Sequence, residues 1–366
     1  MRVTDIKATS FTQPAVPIHR KRFRGEQEIV LVRVITDEGL EGYAMARAHG
    51  GTTGRIISES IVTTLKPRVV GQDPLNRERV WQKMWQLEHG GYVPIFAISA
   101  VDVALWDLAG KILHAPVYQL IGGYRDSIPA YASSSFLDDT EAYLRDVDAA
   151  LRRGFRAYKI HPFQDPPRDV ELCRAIRKTV GSEVHLMLDA VSAYDRVSAL
   201  QVGRALEELD FLWYEEPLPH YDIQGYVELS RTLDIPITGA ETIAGSVYSA
   251  ALFARANALD MIMCDVYWKG GITGMLKTAC LCEAMGLKIT SHHGASPAMN
   301  FANLHVLCGI SNADFIEMLV PEEEYNYGLQ SYLELGTDGL IHVPQTPGLG
   351  IEIDWDYVRA HTTGEM

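Results

Sequence analysis

Apolar residues recur along the chain in two different rhythms, and the change lies near residue 125. Before it, alternating or continuous apolar runs predict three strands, and helical periodicity predicts three helices. The strands are expected at Val3–Ser10, Ile29–Thr36 and Leu40–Ala46, and the helices at about 55–70, 75–88 and 95–113. Because a turn signal, Asp37-Glu38-Gly39, separates the last two strands, we expect an antiparallel meander followed by helices.

From about residue 128, short apolar runs alternate with helical stretches, and eight such runs occur. Strictly alternating βα units predict a parallel sheet, and eight of them favour a closed barrel over an open doubly wound sheet. We therefore predict a capping domain at 1–125, completed by 320–366, and a barrel at 126–319. The runs are Ile128–Ser133, Ala157–His161, Val184–Ala190, Phe211–Glu215, Pro236–Glu241, Met261–Asp265, Leu287–His292 and Asp314–Met318.

Composition narrows the class of protein. The 366 residues carry 33 Lys+Arg against 47 Asp+Glu, a net charge of −14, so we expect no nucleic-acid partner. No apolar stretch is long enough to span a membrane, and the first residues lack the apolar segment of a signal peptide. Five cysteines in apolar surroundings, among them Cys280 and Cys282, predict buried, reduced thiols in a cytoplasmic protein.

Ionisable residues stand at the ends of seven successive apolar runs, where a barrel collects its catalytic groups. Solvation of a strand end explains any single one of them. Seven in register would crowd like charges at one rim without a counter-ion. These residues are Lys159 and His161, Asp189, Glu215 and Glu216, Glu241, Asp265, His292 and His293, and Glu317.

Three of these carboxylates, Asp189, Glu215 and Glu241, are separated by two equal intervals of 26 residues, each about one βα unit. Side chains from adjacent strand ends converge, and three unneutralised carboxylates raise one another's pKa. A hard divalent cation resolves that repulsion, and Mg²⁺ accepts a few carboxylates while keeping positions for water or substrate. The spacing therefore predicts a Mg²⁺ site.

Over nearly its whole length the chain resembles the enolase superfamily, within it the mandelate racemase-type group. The resemblance implies an α/β fold: a modified (β/α)7β TIM-like barrel with an α+β N-terminal capping domain. It also implies a homo-oligomer. The matching motifs are the metal positions Asp189, Glu215 in Glu215-Glu216-Pro217, and Glu241 in Gly239-Ala240-Glu241, then Asp265 before Gly270-Gly271, His292 at the seventh run and Glu317 at the eighth.

The resemblance also implies roles for individual residues. Members abstract the proton α to a carboxylate and form an enediolate that Mg²⁺ stabilises. His292, oriented by Asp265, is then a candidate base or acid, Lys159 adds positive charge near the enediolate, and Glu317 matches a carboxylate that hydrogen-bonds the substrate. Many relatives carry Lys-x-Lys on the second strand. Here the second position is His161, an imidazole that is a competent base near neutral pH.

Substrate contacts are expected from the first domain, whose loops close over the barrel mouth in this superfamily. The segment 17–25 holds a basic cluster in an acidic protein, and a basic lid suits an acidic small-molecule substrate. His19, Arg22 and Arg24 are the candidate substrate-binding residues.

Two positions near the predicted rim have an ordinary structural interpretation. Adjacent strand residues point to opposite sides, so we expect only one of His292 and His293 to face the pocket, and the spacing to Pro297 favours His292. Lys269 lies in a loop from which it could approach the site, but solvation is the ordinary expectation for a loop lysine.

The leading hypothesis is a Mg²⁺-dependent hydro-lyase that dehydrates a sugar acid to a 2-keto-3-deoxy acid. His161 is expected as the α-proton base and His292 as the acid assisting hydroxide departure, with the roles exchanged for the opposite α configuration. A racemase or epimerase and a lactone cycloisomerase share the first half-reaction and stay open. A binding protein without catalysis, which holds a metal and a small acid, is the alternative of another class.

Overall fold

The computed structural model describes residues 1–20, 25–48, 53–89, 93–294 and 296–366. The chain begins with an antiparallel sheet of β1 (Val3–Pro14), β2 (Glu26–Thr36) and β3 (Glu41–Arg47). The turn before β3 closes where Gly39, at φ +79°, donates its backbone N–H to Thr36. This is the meander that the hydrophobic pattern predicts.

Helices follow the strands of this sheet in the chain, and the one that packs most extensively on the sheet is almost wholly buried. This helix of 18 residues, Ile95–Ile112, lies against β3 so closely that a Cβ on Gly42 would stand 2.0 Å from the Ala104 carbonyl oxygen. Only glycine therefore fits at position 42. The helices are α1 (Pro17–Arg20), α2 (Gly54–Glu59), α3 (Lys66–Val69), α4 (Arg77–His89), α5 (Ile95–Ile112) and α6 (Val117–Ile121), with a π-helical segment, Ser60–Leu65, between α2 and α3.

Among the residues that the structure describes, eight parallel strands follow, in the order in which they occur in the sequence, and form a nearly closed barrel. The last strand pairs with the first, and one bridge between Ile289 and Ala313 joins the two remaining edges. All eight predicted runs are confirmed as strands. They are β4 (Ser127–Ser133), β5 (Ala157–Ile160), β6 (His185–Asp189), β7 (Trp213–Glu215), β8 (Ile237–Gly239), β9 (Met261–Cys264), β10 (Lys288–Ser291) and β11 (Ile316–Leu319).

In the described part of the chain, seven helices surround the barrel, and most begin at a residue whose side chain accepts a hydrogen bond from the first turn. Asp139, Asp165, Asp195, Asp222 and Ser296 are these N-caps. The helices are α7 (Thr140–Arg153), α8 (Pro166–Val180), α9 (Arg196–Glu208), α10 (Ile223–Thr232), α11 (Ser246–Ala256), α12 (Gly271–Ala284) and α13 (Pro297–Gly309).

The C-terminal segment contacts both sheets. After a 3₁₀ turn, Glu322–Glu324, strand β12 (Leu340–His342) pairs with β4, and α14 (Trp355–His361) leads into β13 (Thr362–Glu365), which pairs with β1.

Among the described residues, no helix is both long and apolar enough to cross a bilayer. All five cysteines are free thiols, but Cys280 is exposed, so its predicted burial is wrong: it lies on the outer face of α12.

Candidate active site

The carboxylates predicted to bind a metal meet at the carboxyl ends of three neighbouring strands. Asp189 and Glu215 are the last residues of β6 and β7 and lie side by side in the sheet register. Glu241 follows two residues after the end of β8. One oxygen from each of the three lies within 4.8 Å of the others. The structure thus brings together three groups that are distant in the sequence.

Burial and mutual repulsion perturb this carboxylate triad strongly. Burial, and then the charges of Asp189 and Glu317, raise the pKa of Glu215 well above its usual value despite the opposing effect of Lys159. Burial with nearby carboxylates raises the pKa of Glu241 to about 8. The pKa of Asp189 is instead lowered, because His161 and Lys159 outweigh burial. Burial therefore drives Glu215 and Glu241 toward their protonated forms, and the positive charges of Lys159 and His292 oppose it.

Lys159 on β5 is fully buried beneath the triad. Its Nζ lies 2.8 Å from Glu215 Oε1, 3.0 Å from Glu317 Oε1 and 3.8 Å from Asp189 Oδ2. These negative charges raise its pKa well above the usual value although burial acts the other way. Lys159 is therefore a permanent positive charge in the floor of the site.

His161 flanks the triad on the β5 side. Its Nδ1 lies 2.7 Å from the Ser134 carbonyl oxygen, which can only accept, so Nδ1 carries a proton. Its Nε2 lies 3.0 Å from Asp189 Oδ2. Ser134 also receives the His161 backbone N–H on its hydroxyl, at 3.0 Å. The ring is therefore fixed with Nε2 directed at the carboxylates.

His292 flanks the triad on the opposite side, just after β10. Its Nδ1 lies 2.5 Å from Asp265 Oδ2, and its Nε2 lies 3.2 Å from Glu241 Oε1. Burial lowers its pKa, but the charges of Glu241 and Asp265 outweigh burial and raise it to about 10. Asn303 on α13 donates a hydrogen bond from Nδ2 to the His292 carbonyl oxygen at 2.8 Å, and its Oδ1 accepts one from the Val266 N–H at 2.9 Å. This amide ties the β9 and β10 ends together.

Glu317 and His293 complete the rim between β10 and β11. Glu317 Oε2 accepts from the His293 backbone N–H at 2.7 Å. Burial alone would raise the pKa of Glu317, but the positive charges of Lys159 and His292 lower it to about 2. Burial lowers the pKa of His293 to about 3, so its imidazole is neutral. The expectation that only one of the two histidines faces the pocket is wrong, because both line the cavity where the chain leaves its extended strand geometry.

Lys269, expected in solvent, is fully buried instead. Its Nζ donates to the carbonyl oxygens of Ala240, Glu241 and Ile243 at 2.6, 2.9 and 3.3 Å. Burial lowers its pKa. The ammonium therefore holds in place the loop that carries Glu241. Its sequence context, a loop before Gly270-Gly271, contains no signal of this burial.

A cavity of about 510 Å³ opens above these groups, and the first domain supplies part of its wall. His19, predicted to bind substrate, lines it, whereas Arg22 and Arg24 lie outside the described residues. The sequence reasoning missed Arg47, which is 5% exposed and lines the same cavity. Its signal was a charged residue at the end of a predicted strand, as at the barrel strands.

Comparison with known proteins agrees with this geometry. Residues 5–122 match the family "Mandelate racemase / muconate lactonizing enzyme, N-terminal domain", and residues 142–357 match "Enolase C-terminal domain-like". Arabinonate dehydratase of Saccharolobus solfataricus is 32% identical, covering 89% of this chain and 88% of that protein. The 3,6-anhydro-alpha-L-galactonate cycloisomerase of Streptomyces coelicolor is 31% identical and covers 90% of each.

A solved structure extends the match to three dimensions. D-glucarate dehydratase from Agrobacterium tumefaciens, complexed with magnesium, has a TM-score of 0.88 and 32% identity over 100% of both chains. The two family matches together cover nearly all of the chain: the first includes most of the antiparallel sheet, and the second includes most of the barrel. The chain therefore belongs to the enolase superfamily, in its mandelate racemase group, together with acid-sugar dehydratases.

Proposed function

We propose that the protein is a Mg²⁺-dependent acid-sugar dehydratase that converts a sugar acid into a 2-keto-3-deoxy acid. One observation carries the proposal: two histidines, His161 and His292, flank one carboxylate triad from opposite sides, each with Nε2 within 3.2 Å of a different member. Dehydration needs a base at the α carbon and an acid at the β-hydroxyl. Two separate imidazoles supply both.

The triad fits a magnesium ion by the chemistry of its donors. Asp189, Glu215 and Glu241 offer hard oxygen ligands, and the raised pKa of Glu215 and of Glu241 shows how poorly the protein alone tolerates their charges. Bound there, Mg²⁺ would act as a Lewis acid for the charge that develops on the substrate carboxylate. The three side chains are the residues that would hold it.

His161 is the proposed base. Because Nδ1 donates to the Ser134 carbonyl, Nε2 is the nitrogen left for the reaction, and with the Asp189 carboxylate engaged by a metal, Nε2, 3.0 Å from Asp189 Oδ2, would be free to accept the α-proton. Removal of the α-proton places that proton on Nε2, and the Ser134 carbonyl continues to hold the ring in place. The side chain therefore needs no reorientation during the step.

His292 is the proposed acid. The Asp265 carboxylate keeps Nδ1 protonated, and the pKa of about 10 keeps a second proton on Nε2 at neutral pH. That proton is available to the departing β-hydroxyl, which leaves as water. A substrate of the opposite α configuration exchanges the roles of His161 and His292.

Lys159 and Glu317 bind and orient the reacting end. The Lys159 ammonium is buried within 3.0 Å of Glu317 Oε1 and adds fixed positive charge below the site. Glu317 stays ionised, because its pKa is lowered to about 2, and it can therefore accept a hydrogen bond from a substrate hydroxyl.

A lactone cycloisomerase or a racemase is the second candidate, since both begin with the same proton abstraction. The 31% identity to the Streptomyces coelicolor cycloisomerase supports the cycloisomerase over the racemase as this second candidate. The reactions separate at the second step: the dehydratase expels the β-hydroxyl as water, the cycloisomerase expels a ring oxygen and opens the ring without loss of water, and the racemase returns a proton to the α carbon.

The test is a screen of mono- and dicarboxylic sugar acids with Mg²⁺, with keto acid detected directly. We expect keto-acid formation from at least one acid, and its loss in the Glu215→Gln variant. Deuterium incorporation at the α carbon without loss of water from any acid tested would overturn the dehydratase. Absence of turnover across the library, with the metal bound, would favour a binding protein without catalysis.

A further inference from the structure

The cavity wall contains a cationic group from the first domain, remote in sequence from the barrel histidines. Arg47 is the last residue of β3 in the first domain, and it lines the same cavity as Asp189 and Glu241. It is 5% exposed, so its guanidinium is a buried charge rather than a surface one. Burial lowers its pKa, with Tyr267, Tyr327 and Asp265 acting in the opposite direction.

Contacts on both sides hold Arg47 in place. Its Nη1 donates to Nε2 of His19, which also lines the cavity. A guanidinium has donors only, so His19 Nε2 is the acceptor, and a neutral His19 carries its proton on Nδ1. The Arg47 carbonyl oxygen accepts from the Tyr267 hydroxyl at 2.5 Å, which ties the end of β3 to the loop after β9.

The short helix that carries His19 is itself pinned to the barrel. The Ile18 N–H donates to the Tyr325 hydroxyl at 3.1 Å, and that hydroxyl lies 3.0 Å from Ser135 Oγ, just beyond β4. Arg20 forms an ion pair with Glu324 on the same side. This part of the cavity wall is therefore organised before any ligand arrives, which lowers the entropy cost of binding.

The barrel carboxylate that acts most strongly on Arg47 is already engaged. Asp265 accepts from His292 Nδ1 on one oxygen and from the Trp268 N–H, at 2.5 Å, on the other. An anion that enters the cavity would offset the burial of the Arg47 charge. A planar carboxylate matches the fork of a guanidinium better than a hydroxyl does, since it can accept two parallel hydrogen bonds.

We propose that Arg47, supported by His19, binds a second carboxylate at the distal end of the substrate, so that the substrate is an aldaric acid, a sugar acid with a carboxylate at each end. The inference rests on the proposed function for the reacting end. A monocarboxylic sugar acid would place a neutral hydroxymethyl group against a buried guanidinium, and a site built for a charged partner discriminates strongly against such an analogue.

The kinetic test compares diacid and monoacid pairs of the same configuration, glucarate with gluconate and galactarate with galactonate, at saturating Mg²⁺. In the pair that is turned over, we expect kcat/KM to favour the diacid by about 100-fold or more. Arg47→Gln should reduce that ratio to below about 10-fold, mainly by raising KM for the diacid, and Arg47→Lys should restore part of it.

Arg33→Gln is the matched control. Arg33 lies on the neighbouring strand β2 and pairs with Glu41 at 2.7 Å, and it is not among the described residues that line the cavity. This variant should keep the wild-type ratio. Preference of the wild type for the monoacid, or the same ratio in Arg47→Gln and wild type, would overturn the proposal while leaving the dehydratase function intact.

A binding measurement separates the two proposals. Calorimetry with Mg²⁺ compares 2-oxoglutarate with 2-oxopentanoate, which has the same chain length and one carboxylate. We expect at least about 10-fold tighter binding of the diacid by the wild type, and loss of that difference in Arg47→Gln. That result without turnover of any sugar acid would reject the proposed reaction and support the distal site. Equal binding of both probes by the wild type would reject the distal site.

Discussion

Asp265 and His292 form a pair in which Oδ2 of the aspartate lies 2.5 Å from Nδ1 of the histidine. Asp265 stands just after β9 and His292 just after β10, so the pairing depends on the parallel register of these two strands. Because the aspartate holds Nδ1, the opposite nitrogen, Nε2, is directed at the carboxylate triad, 3.2 Å from Glu241.

Replacement of Asp265 by asparagine tests this pair. Asparagine still accepts a hydrogen bond but carries no charge, so the pKa of His292 should fall from about 10. The acid form would then be lost at lower pH, and the alkaline limb of the kcat profile should move to lower pH, with kcat reduced about 10- to 100-fold. The measurement is kcat from pH 6 to 10. An unshifted alkaline limb would show that Asp265 does not set the protonation of His292.

The same pair gives a stability prediction for the metal-free protein. A raised histidine pKa contributes stability that is full below the unfolded value of 6.5 and is lost as pH rises through about 10. We therefore expect the free energy of unfolding to fall between these pH values more steeply in wild type than in His292→Asn. Urea unfolding at several pH values measures it, and parallel slopes in the two proteins would contradict the assignment.

Metal uptake should release protons. Glu241 has a pKa of about 8 and the pKa of Glu215 is raised well above normal, so a divalent ion competes with protons for these carboxylates near neutral pH. Apparent Mg²⁺ affinity should rise with pH up to about 8. Titration calorimetry at pH 7 in buffers of different ionisation enthalpy should give different heats, and identical heats would contradict the raised pKa values.

Lys269 is predicted to position the metal site without touching it. Lys269→Met removes three hydrogen bonds to the loop around Glu241, so Mg²⁺ affinity should fall about 10- to 100-fold. Lys277→Met is the control, because Lys277 pairs with Glu78 at the outer surface of α12. Calorimetry reports affinity, and Lys269→Arg should retain part of it. Equal affinity in Lys269→Met and the control would contradict the role.

Gly271 lies where α12 of the barrel packs against α5 of the first domain, and we predict that a larger residue at this position destabilises the protein. It has φ +84°, and a Cβ there would lie 2.3 Å from Asp102 Oδ2 on α5. Asp102 accepts from Thr273 N and Oγ1 at 2.9 and 2.7 Å, so it cannot move without losing those bonds. Gly271→Ala should cost about 3 kcal/mol or more. Gly181→Ala, at φ +76° with open space around it, should cost about 1 kcal/mol. Equal losses in urea unfolding would contradict the packing argument.

The order of the helices and strands, and the approach of the carboxylates at the strand ends, were predictable for one physical reason. Parallel strands end at the same rim, so Asp189, Glu215 and Glu241 had to approach one another once the barrel pattern was recognised. The lengths of the strands were less predictable. Several are only three or four residues long, since the polar residues after them already belong to the rim.

Residues whose roles depend on another domain or on packing were not predictable. Arg47 belongs to the first sheet, and no local pattern indicates that β3 ends at the barrel mouth. Lys269 has the sequence context of a loop, yet three carbonyl oxygens enclose it. His293 follows a strand, where the alternation of side chains no longer applies. Each case depends on tertiary contacts that a periodicity argument does not contain.

The most direct test of the account is solvent deuterium exchange at the α carbon of a substrate, followed by NMR in His161→Asn and His292→Asn with Mg²⁺ present. The account predicts that His292→Asn still exchanges the α-proton but releases little water, because its base, His161, remains. It predicts that His161→Asn does neither, with each loss about 100-fold or more. Equal loss of exchange in both variants, or exchange retained in both, would contradict it.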